Sequence, residues 1–331
     1  MPVMNSSEGT TAVRARGGDI APAPALRVRA IVNRSAGTAL DLTPEAIQGT
    51  IEGAFAEHGH RVAVTFVTPS EVEREIEAAA ASDVDVLIVG GGDGTVRTAA
   101  RHLVGKDIAL GILPLGTHNR LAKDLEIPLR LEQAVAFLAT ATPSKIDVAK
   151  VNDSIFICNS LMGATLRYSL GRARLRGRPA TERLPKYLAL IRDVLSSRRK
   201  ISIVVDSGTE QMRIRALSVA VTNNGYDETT TWLRRSRLDG GKLTMYVSQH
   251  RSGWGLAKAM ARALLGLWHG DPDVTKLVGS KFVIYSPKRR RRLSNDGEVG
   301  KYDMPLVYEV LPQSLTVLTA PEDAGGGKQT V

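Results

Sequence analysis

The chain has one cysteine in 331 residues. Cys158 therefore has no partner for an intramolecular disulfide, and a metal site built from thiolates is excluded. It lies in the apolar run SIFICNSLM, where a buried, inert thiol is expected, and the count suits a reducing cytoplasm. Aromatic residues are also scarce, at 5%. None interleaves with the basic run to form a base-stacking platform, so nucleic acid is not expected as a partner. No apolar stretch approaches the roughly 18 to 20 residues that a membrane-spanning helix needs, so any membrane contact is expected to be peripheral. Acidic residues are in deficit: 34 Asp and Glu stand against 44 Lys and Arg, a net charge of +10. That balance favours anionic partners such as phosphates or acidic lipid surfaces, without choosing between them.

The length and the 43% hydrophobic content allow two domains with ample core. Residues 1–25 are rich in Ala, Gly, Pro and Ser with no signal-like apolar stretch, and residues 321–331 are similarly biased; both read as disordered tails. Between them, the most informative stretch is Asp83 to Arg97, DVDVLIVGGGDGTVR. Val84 to Val89 is a nearly continuous, β-branched apolar run, the pattern of a strand buried on both faces of a parallel sheet. Gly90, Gly91, Gly92 and Gly94 then remove side chains where backbone N–H groups must converge on an anion. A helix expected from Val96 to Leu103 would aim the positive end of its dipole at the same point. Asp93 in such a cradle is repelled by bound phosphates unless it holds Mg²⁺ or accepts a proton or hydrogen bond. The spacing is neither that of a P-loop nor that of a dinucleotide fingerprint.

Around this turn the pattern reads strand, helix, strand, helix, strand. Leu26 to Asn33 is the first strand, Thr43 caps a helix with Pro44 at its first position, and Arg61 to Val67 is the second strand. Ser70 with Glu73 reads as a capping box opening a helix to about Ala81. Ile108 to Leu113 is a fourth strand, ending in the polar loop Pro114 to Asn119. Short right-handed crossovers bring both loops to one end of a parallel sheet. Thr117 and Asn119 can donate to phosphates or ribose hydroxyls, or cap the helix Arg120 to Leu125.

From about Lys145 the rhythm changes to antiparallel strands. Hairpins are expected around Asn152-Asp153 and between Ile201 to Val205 and Ile214 to Thr222. Further strands are expected at Leu243 to Val247, Phe282 to Tyr285, Val307 to Val310 and Leu315 to Leu318. Two helical stretches interrupt them: Tyr168 to Arg199, and Trp254 to Trp268, whose composition suits either a membrane surface or a packed core. Lys288 to Arg292 is five basic residues, either a solvated edge or a neutraliser of phosphates and acidic head groups. Asp296-Gly297-Glu298 reads as a turn with two carboxylates. The fold class is thus α/β plus all-β: an N-terminal parallel-sheet nucleotide domain and a C-terminal antiparallel β-sandwich domain.

In sequence order, GGGDGT (Gly90 to Thr95), LPLGTHN (Leu113 to Asn119), LDGGKL (Leu238 to Leu243) and NDGE (Asn295 to Glu298) resemble the diacylglycerol kinase catalytic-domain family of soluble lipid kinases, related to sphingosine, ceramide and NAD kinases. The resemblance implies an ATP-binding domain at 26–144 completed by 312–320, a lipid- and metal-binding domain at 145–311, and ATP in the cleft between them. By position it implies ATP contacts from Gly90, Gly91, Gly92, Asp93, Gly94, Thr95, Val96, Gly116, Thr117, Asn119 and Thr65. Asn33 stands at a family Asn-Pro turn where Arg34 replaces the proline and can itself reach a phosphate. Asp239, with carbonyls of Ser236 and Gly241, matches a Mg²⁺ loop, and oxygen donors suit that ion. Glu298 matches the proton acceptor, with Asp296 beside it and Asp93 across the cleft. The activity implied is transfer of the ATP γ-phosphate to a hydroxyl of a diacylglycerol-like or long-chain-base lipid at the cytoplasmic membrane surface, with an NAD kinase or a non-catalytic binder of nucleotide or acidic lipid as alternatives.

Overall fold

The computed structural model describes residues 25–37, 43–175, 180–208, 210–227, 234–265 and 271–321. Its first part alternates strands and helices: β1 (Arg27–Asn33), α1 (Pro44–Glu57), β2 (Arg61–Val67), α2 (Val72–Ala80), β3 (Val86–Gly91), α3 (Asp93–Leu103) and β4 (Ala109–Pro114), then α4 (Arg120–Asp124) and α5 (Leu131–Thr140). β2, β1, β3 and β4 lie side by side in parallel register. All six residues of β3 are buried, which is why its sequence is apolar throughout rather than alternating. α1 forms as its sequence dictates: Thr43 accepts from the Ala46 N–H, Pro44 takes the first turn, and Ile47, Ile51 and Phe55 face the core.

Two helix starts differ from the sequence reading. α3 begins at Asp93 rather than Val96, because Gly92 in an extended conformation already ends the strand and the helix incorporates the aspartate. No Ser70–Glu73 capping box forms; the Glu71 carboxylate instead accepts from the N–H and hydroxyl of Thr68, closing the turn before α2.

The second part comprises β5 (Thr142–Val151), β6 (Ser154–Phe156), β7 (Asn159–Gly163), α6 (Ala164–Arg174), α7 (Ala180–Ser196), β8 (Ile201–Asp206), β9 (Gln211–Ala216), β10 (Ser218–Asn223), β11 (Leu243–Ser248), α8 (Gly253–Leu264), β12 (Val274–Gly279), β13 (Lys281–Tyr285), β14 (Arg290–Asn295), β15 (Glu298–Asp303) and β16 (Leu306–Thr319). It is a sandwich. One sheet runs β12-β11-β10-β7-β14-β15, and the facing layer is the far half of the first sheet, which continues β4-β16-β13-β8-β9. Phe156, Ile203, Phe282, Ile284 and Tyr308 from one layer pack against Met162, Val219, Val221, Met245 and Leu293 from the other.

The run Ile214 to Thr222 is two strands in different sheets, not one arm of a hairpin. β9 pairs with β8, the chain turns at Leu217, and β10 pairs with β7 and β11. The basic run from Lys288 enters β14, which is flanked on both sides by β7 and β15. Val307 to Val310 and Leu315 to Leu318 belong to a single long strand, β16. It pairs antiparallel with β5 along its length and parallel with β4 through Val317 and Leu110, broken by an irregularity between Leu311 and Leu315. The buried Asp147 of β5 fills that irregularity by accepting the Gln313 N–H at 2.9 Å. The boundary expected at 144/145 therefore falls inside β5, on a ribbon that both cores share. No helix among the described residues is long and apolar enough to cross a membrane. Trp268 and the two terminal stretches expected to be tails, apart from Ala25 and Pro321, lie outside the described residues.

Candidate active site

The glycine turn joins β3 to α3 at the carboxyl end of the parallel strands. No side chain caps α3, so its first-turn N–H groups and the positive end of its dipole are presented by Asp93, Gly94 and Thr95 themselves. The glycines are fixed by close approach. A Cβ at Gly91 would lie 2.5 Å from Thr95 Oγ1, and one at Gly116 would lie 2.3 Å from the Gly92 Cα. The two loops thus touch backbone to backbone. Asn119, at a left-handed φ of 47°, braces the second loop: its amide oxygen accepts from the Gly116 N–H, and its nitrogen donates to the carbonyls of Pro114 and Gly116. Asn119 thus serves the loop, and the cap of α4 comes from Asp93, whose Oδ1 accepts the Arg120 N–H at 2.7 Å. Thr117 is exposed at the loop tip.

Asn33 ends β1, where its side-chain oxygen accepts from the Ser35 N–H; Arg34 is exposed, and its N–H is held by the Val67 carbonyl. Thr65 lies on the edge strand β2, in register with Ile31. All these positions share one end of the sheet with Gly90 to Val96.

Two carboxylates reach this end from the hairpin between β14 and β15, whose turn is Asp296-Gly297 with φ of 50° and 94°. Asp296 is gripped by three backbone N–H groups, those of Ile157, Cys158 and Asn159, at 2.7 to 2.9 Å. Burial pushes its carboxyl above the ordinary carboxylate range, and the three donors pull the other way. Glu298 is more open, at 57% side-chain exposure, and is held by an ion pair with Arg97. A Cβ placed on Gly94 would lie 3.6 Å from Glu298 Oε1, so this carboxylate faces the first turn of α3 across the cleft. Asp93, Asp296 and Arg120 together line a small cavity floored by Val96, Leu121, Ile157 and Cys158. Cys158 is buried there, and burial pushes its thiol up, in keeping with an inert role.

None of Ser236, Asp239 and Gly241 lines that cavity. Asp239 is half exposed and pairs with Arg237 at 3.4 Å. Gly241, at a φ of 63°, donates its N–H to Asp147 Oδ2 at 2.6 Å, which anchors the loop to the shared ribbon. The Asp239 carboxylate and the loop's carbonyls are oxygen donors, the type that Mg²⁺ takes.

Beyond the cavity, a pocket of about 190 Å³ runs between the outer face of the second sheet and α8. Its walls are Leu161, Ala220 and Tyr246 from the sheet and Leu256, Ala259 and Met260 from the helix. Asn159, Tyr226 and Arg120 line its inner end, with Tyr226 stacked on Tyr246 at 5.8 Å. Arg120 therefore borders both the carboxylate cavity and the apolar pocket.

Sequence reasoning missed four of the residues that hold this arrangement. Arg97 stands one helical turn after Asp93, a spacing that places both on one face of α3 and could have revealed it. Arg120 follows the Gly-Thr-His-Asn loop directly, but nothing in the sequence says that it meets the second domain. Arg235 and Asp124 form a buried ion pair at 2.6 Å, in which Arg235 also donates to the carbonyls of Ile157 and Asn223. That pair secures the backbone which grips Asp296, and only the tertiary fold brings its members together.

Residues 27–151 match the family model described as the diacylglycerol kinase catalytic domain. The chain is 38% identical over 97 residues to the "Probable lipid kinase YegS-like" of Enterobacter sp. (strain 638) and 41% identical over 92 residues to that of Klebsiella pneumoniae (strain 342). These matches cover 28% and 27% of this chain and 32% and 31% of the relatives, so the matched stretch spans about a third of their length. A crystal structure described as a diacylglycerol kinase from Bacillus anthracis str. Sterne superimposes with a TM-score of 0.69 at 21% identity, covering 89% of this chain and 97% of that one. That likeness extends the shared fold across both parts of the molecule.

Proposed function

We propose that the chain is an ATP-dependent lipid kinase that moves the γ-phosphate of ATP to a hydroxyl of a diacylglycerol-like or long-chain-base lipid. One observation carries the reading: the apolar pocket and the carboxylate cavity beside the glycine turn share Arg120 as a common wall. The family match over residues 27–151 supports ATP as the donor.

In this reading the N–H groups of the first turn of α3 cradle the phosphates, and Gly92 packed on Gly116 keeps the two loops close enough to share them. Mg²⁺, when bound, spreads phosphate charge; Asp93 is the carboxylate beside the phosphates that would hold it there, and Asp239 with the Ser236 and Gly241 carbonyls would hold a second ion. The acceptor hydroxyl enters from the pocket. Glu298 takes its proton, the oxygen bonds to the γ-phosphorus, and the bond to the bridging oxygen breaks to release ADP. Glu298 suits the proton-accepting role better than Asp296 because both oxygens of Asp296 already accept from backbone donors. Arg97 positions Glu298 toward the cleft.

Lipid entry at a membrane surface is supported by the cover of the pocket. α7 and α8 pack together and leave Leu184, Leu188, Trp254, Met260 and Leu265 exposed, with Lys258 and Arg262 on the same helix as the tryptophan. The test is incubation with γ-labelled ATP, Mg²⁺ and vesicles carrying neutral lipids, with NAD as a parallel soluble acceptor. Label in an organic-phase lipid is the expected result. Label in NADP, or no transfer to any lipid despite ATP binding, would overturn it.

A further inference from the structure

His250 lies two residues beyond the end of β11, and Asp271 and Asp273 stand just before β12. Both strands belong to the sheet that floors the pocket, at the end away from Glu298. Ser248 and Asp271 line the pocket there. Along β10 this end lies four residues from the Asn159 row, since Thr222 pairs with Asn159 and Ser218 with Ser248. At roughly 3.4 Å per residue the two ends are about 14 Å apart.

His250 is 5% exposed, so its ring lies largely out of water, where polar atoms favour partners. Its Nδ1 has one, the Ser248 hydroxyl at 2.8 Å. Its Nε2 makes no hydrogen bond among the described residues and instead faces Asp271 Oδ2 at 3.5 Å. That separation is long for a charge-assisted hydrogen bond, which closes to roughly 2.7 to 2.9 Å. It matches the edge between two ligands that each stand about 2.0 to 2.1 Å from a tetrahedral ion. Asp273 supplies a third donor, and ligand atoms of all three residues lie within 4.8 Å of one another.

The donors are held in place. Asp271 Oδ1 accepts the Asp273 N–H at 3.0 Å, which leaves Oδ2 toward the imidazole. The Gln249 N–H binds the Asp273 carbonyl at 2.7 Å, lashing the two chain segments together next to His250. From above, α8 presses on the ring: a Cβ on Gly255 would meet His250 Cδ2 at 2.7 Å. A Ser hydroxyl on Nδ1 is the kind of outer partner that fixes which ring nitrogen faces an ion.

We propose that His250, Asp271 and Asp273 bind a divalent first-row transition ion of the zinc class. The mixed imidazole and carboxylate donors favour such an ion over Mg²⁺, which prefers oxygen alone. The ion would tie the end of β11 to the start of β12 under α8, beside the pocket that Asp271 lines. It is distinct in place and chemistry from the Asp239 loop, and it stands whether or not the acceptor is a lipid.

The test is a Co²⁺ titration of the full chain in excess Mg²⁺, which occupies all-oxygen sites. The expected result is one equivalent bound, with the visible absorption of a low-coordinate site and a raised melting temperature. His250→Gln should abolish it. Asp273→Asn, at an exposed position that leaves the packed ring untouched, should weaken it roughly tenfold or more. No stoichiometric Co²⁺ in the wild type, or binding that Asp273→Asn leaves unchanged, overturns the site and leaves a buried His–Asp ion pair in its place.

Discussion

Asp296 and Glu298 are two residues apart and chemically unlike. Asp296 is part of the fold: its carboxylate satisfies three backbone N–H groups at the junction of β6 and β7. Among the described residues, the Glu298 side chain is tied only to Arg97. Their substitutions should therefore separate. Glu298→Gln should lower turnover by roughly 10² to 10⁴-fold, the range for removing a general base, with the melting temperature unchanged. Asp296→Asn places an NH₂ where an acceptor is needed and should cost about 1 to 3 kcal/mol of stability as well as activity. Chemical denaturation alongside steady-state kinetics reads both; equal loss of stability in the two variants would reverse the roles. The sequence already carried the pair, because Asp296-Gly297-Glu298 reads as a turn with two carboxylates. It could not say which carboxylate the fold consumes, since the backbone that grips Asp296 lies about 140 residues upstream.

The ribbon of β5 and β16 governs the element scale. Glu309 on β16 binds Lys150 of β5 at 2.8 Å and Lys281 of β13 at 2.6 Å, so one carboxylate clamps three strands. The Lys150 and Lys281 ammonium groups hold its carboxyl down to about 2, from an ordinary 4.5. Because the folded value lies below the unfolded one, the stabilisation is complete above about pH 4.5 and disappears as the pH falls toward 2. Glu309→Gln should cost about 1 kcal/mol at pH 7, as partly exposed pairs do, and the difference from wild type should vanish near pH 2. Urea denaturation at a series of pH values checks it; a difference that persists at pH 2 would point to packing rather than charge. At this scale the parallel half was legible, since a buried strand and a glycine turn announce themselves in consecutive residues. β14 and β15 were not, because Arg290 to Arg292 and Glu298 to Asp303 are polar strands whose place depends on pairing with β7. The split at Leu217 was hidden for a related reason: Ile214 to Thr222 has strand composition throughout, and only the second sheet makes it turn.

Across the whole molecule, the net charge of +10 and the exposed apolar residues of α7 and α8 point toward the same environment. Trp254 is 59% exposed at the start of the helix that covers the pocket. Trp254→Ala should leave ATP binding and melting temperature unchanged and raise the apparent KM for a vesicle-borne acceptor several-fold, with less effect on a short-chain acceptor dispersed as monomers. Raising ionic strength should slow phosphorylation on anionic vesicles more than on neutral ones, through screening of attraction to the charged surface. Insensitivity of both measurements would remove the membrane from the reading. The order of the chain adds a constraint of another kind. The partner strand that covers the edge of β4 is β16, about 200 residues later in synthesis. Until the ribosome has made Val317, the parallel half carries an open sheet edge, although its own helices and strands were translated long before. Nascent chains paused anywhere in the sandwich should therefore be clients for chaperones, and maturation of the two halves is a single late event.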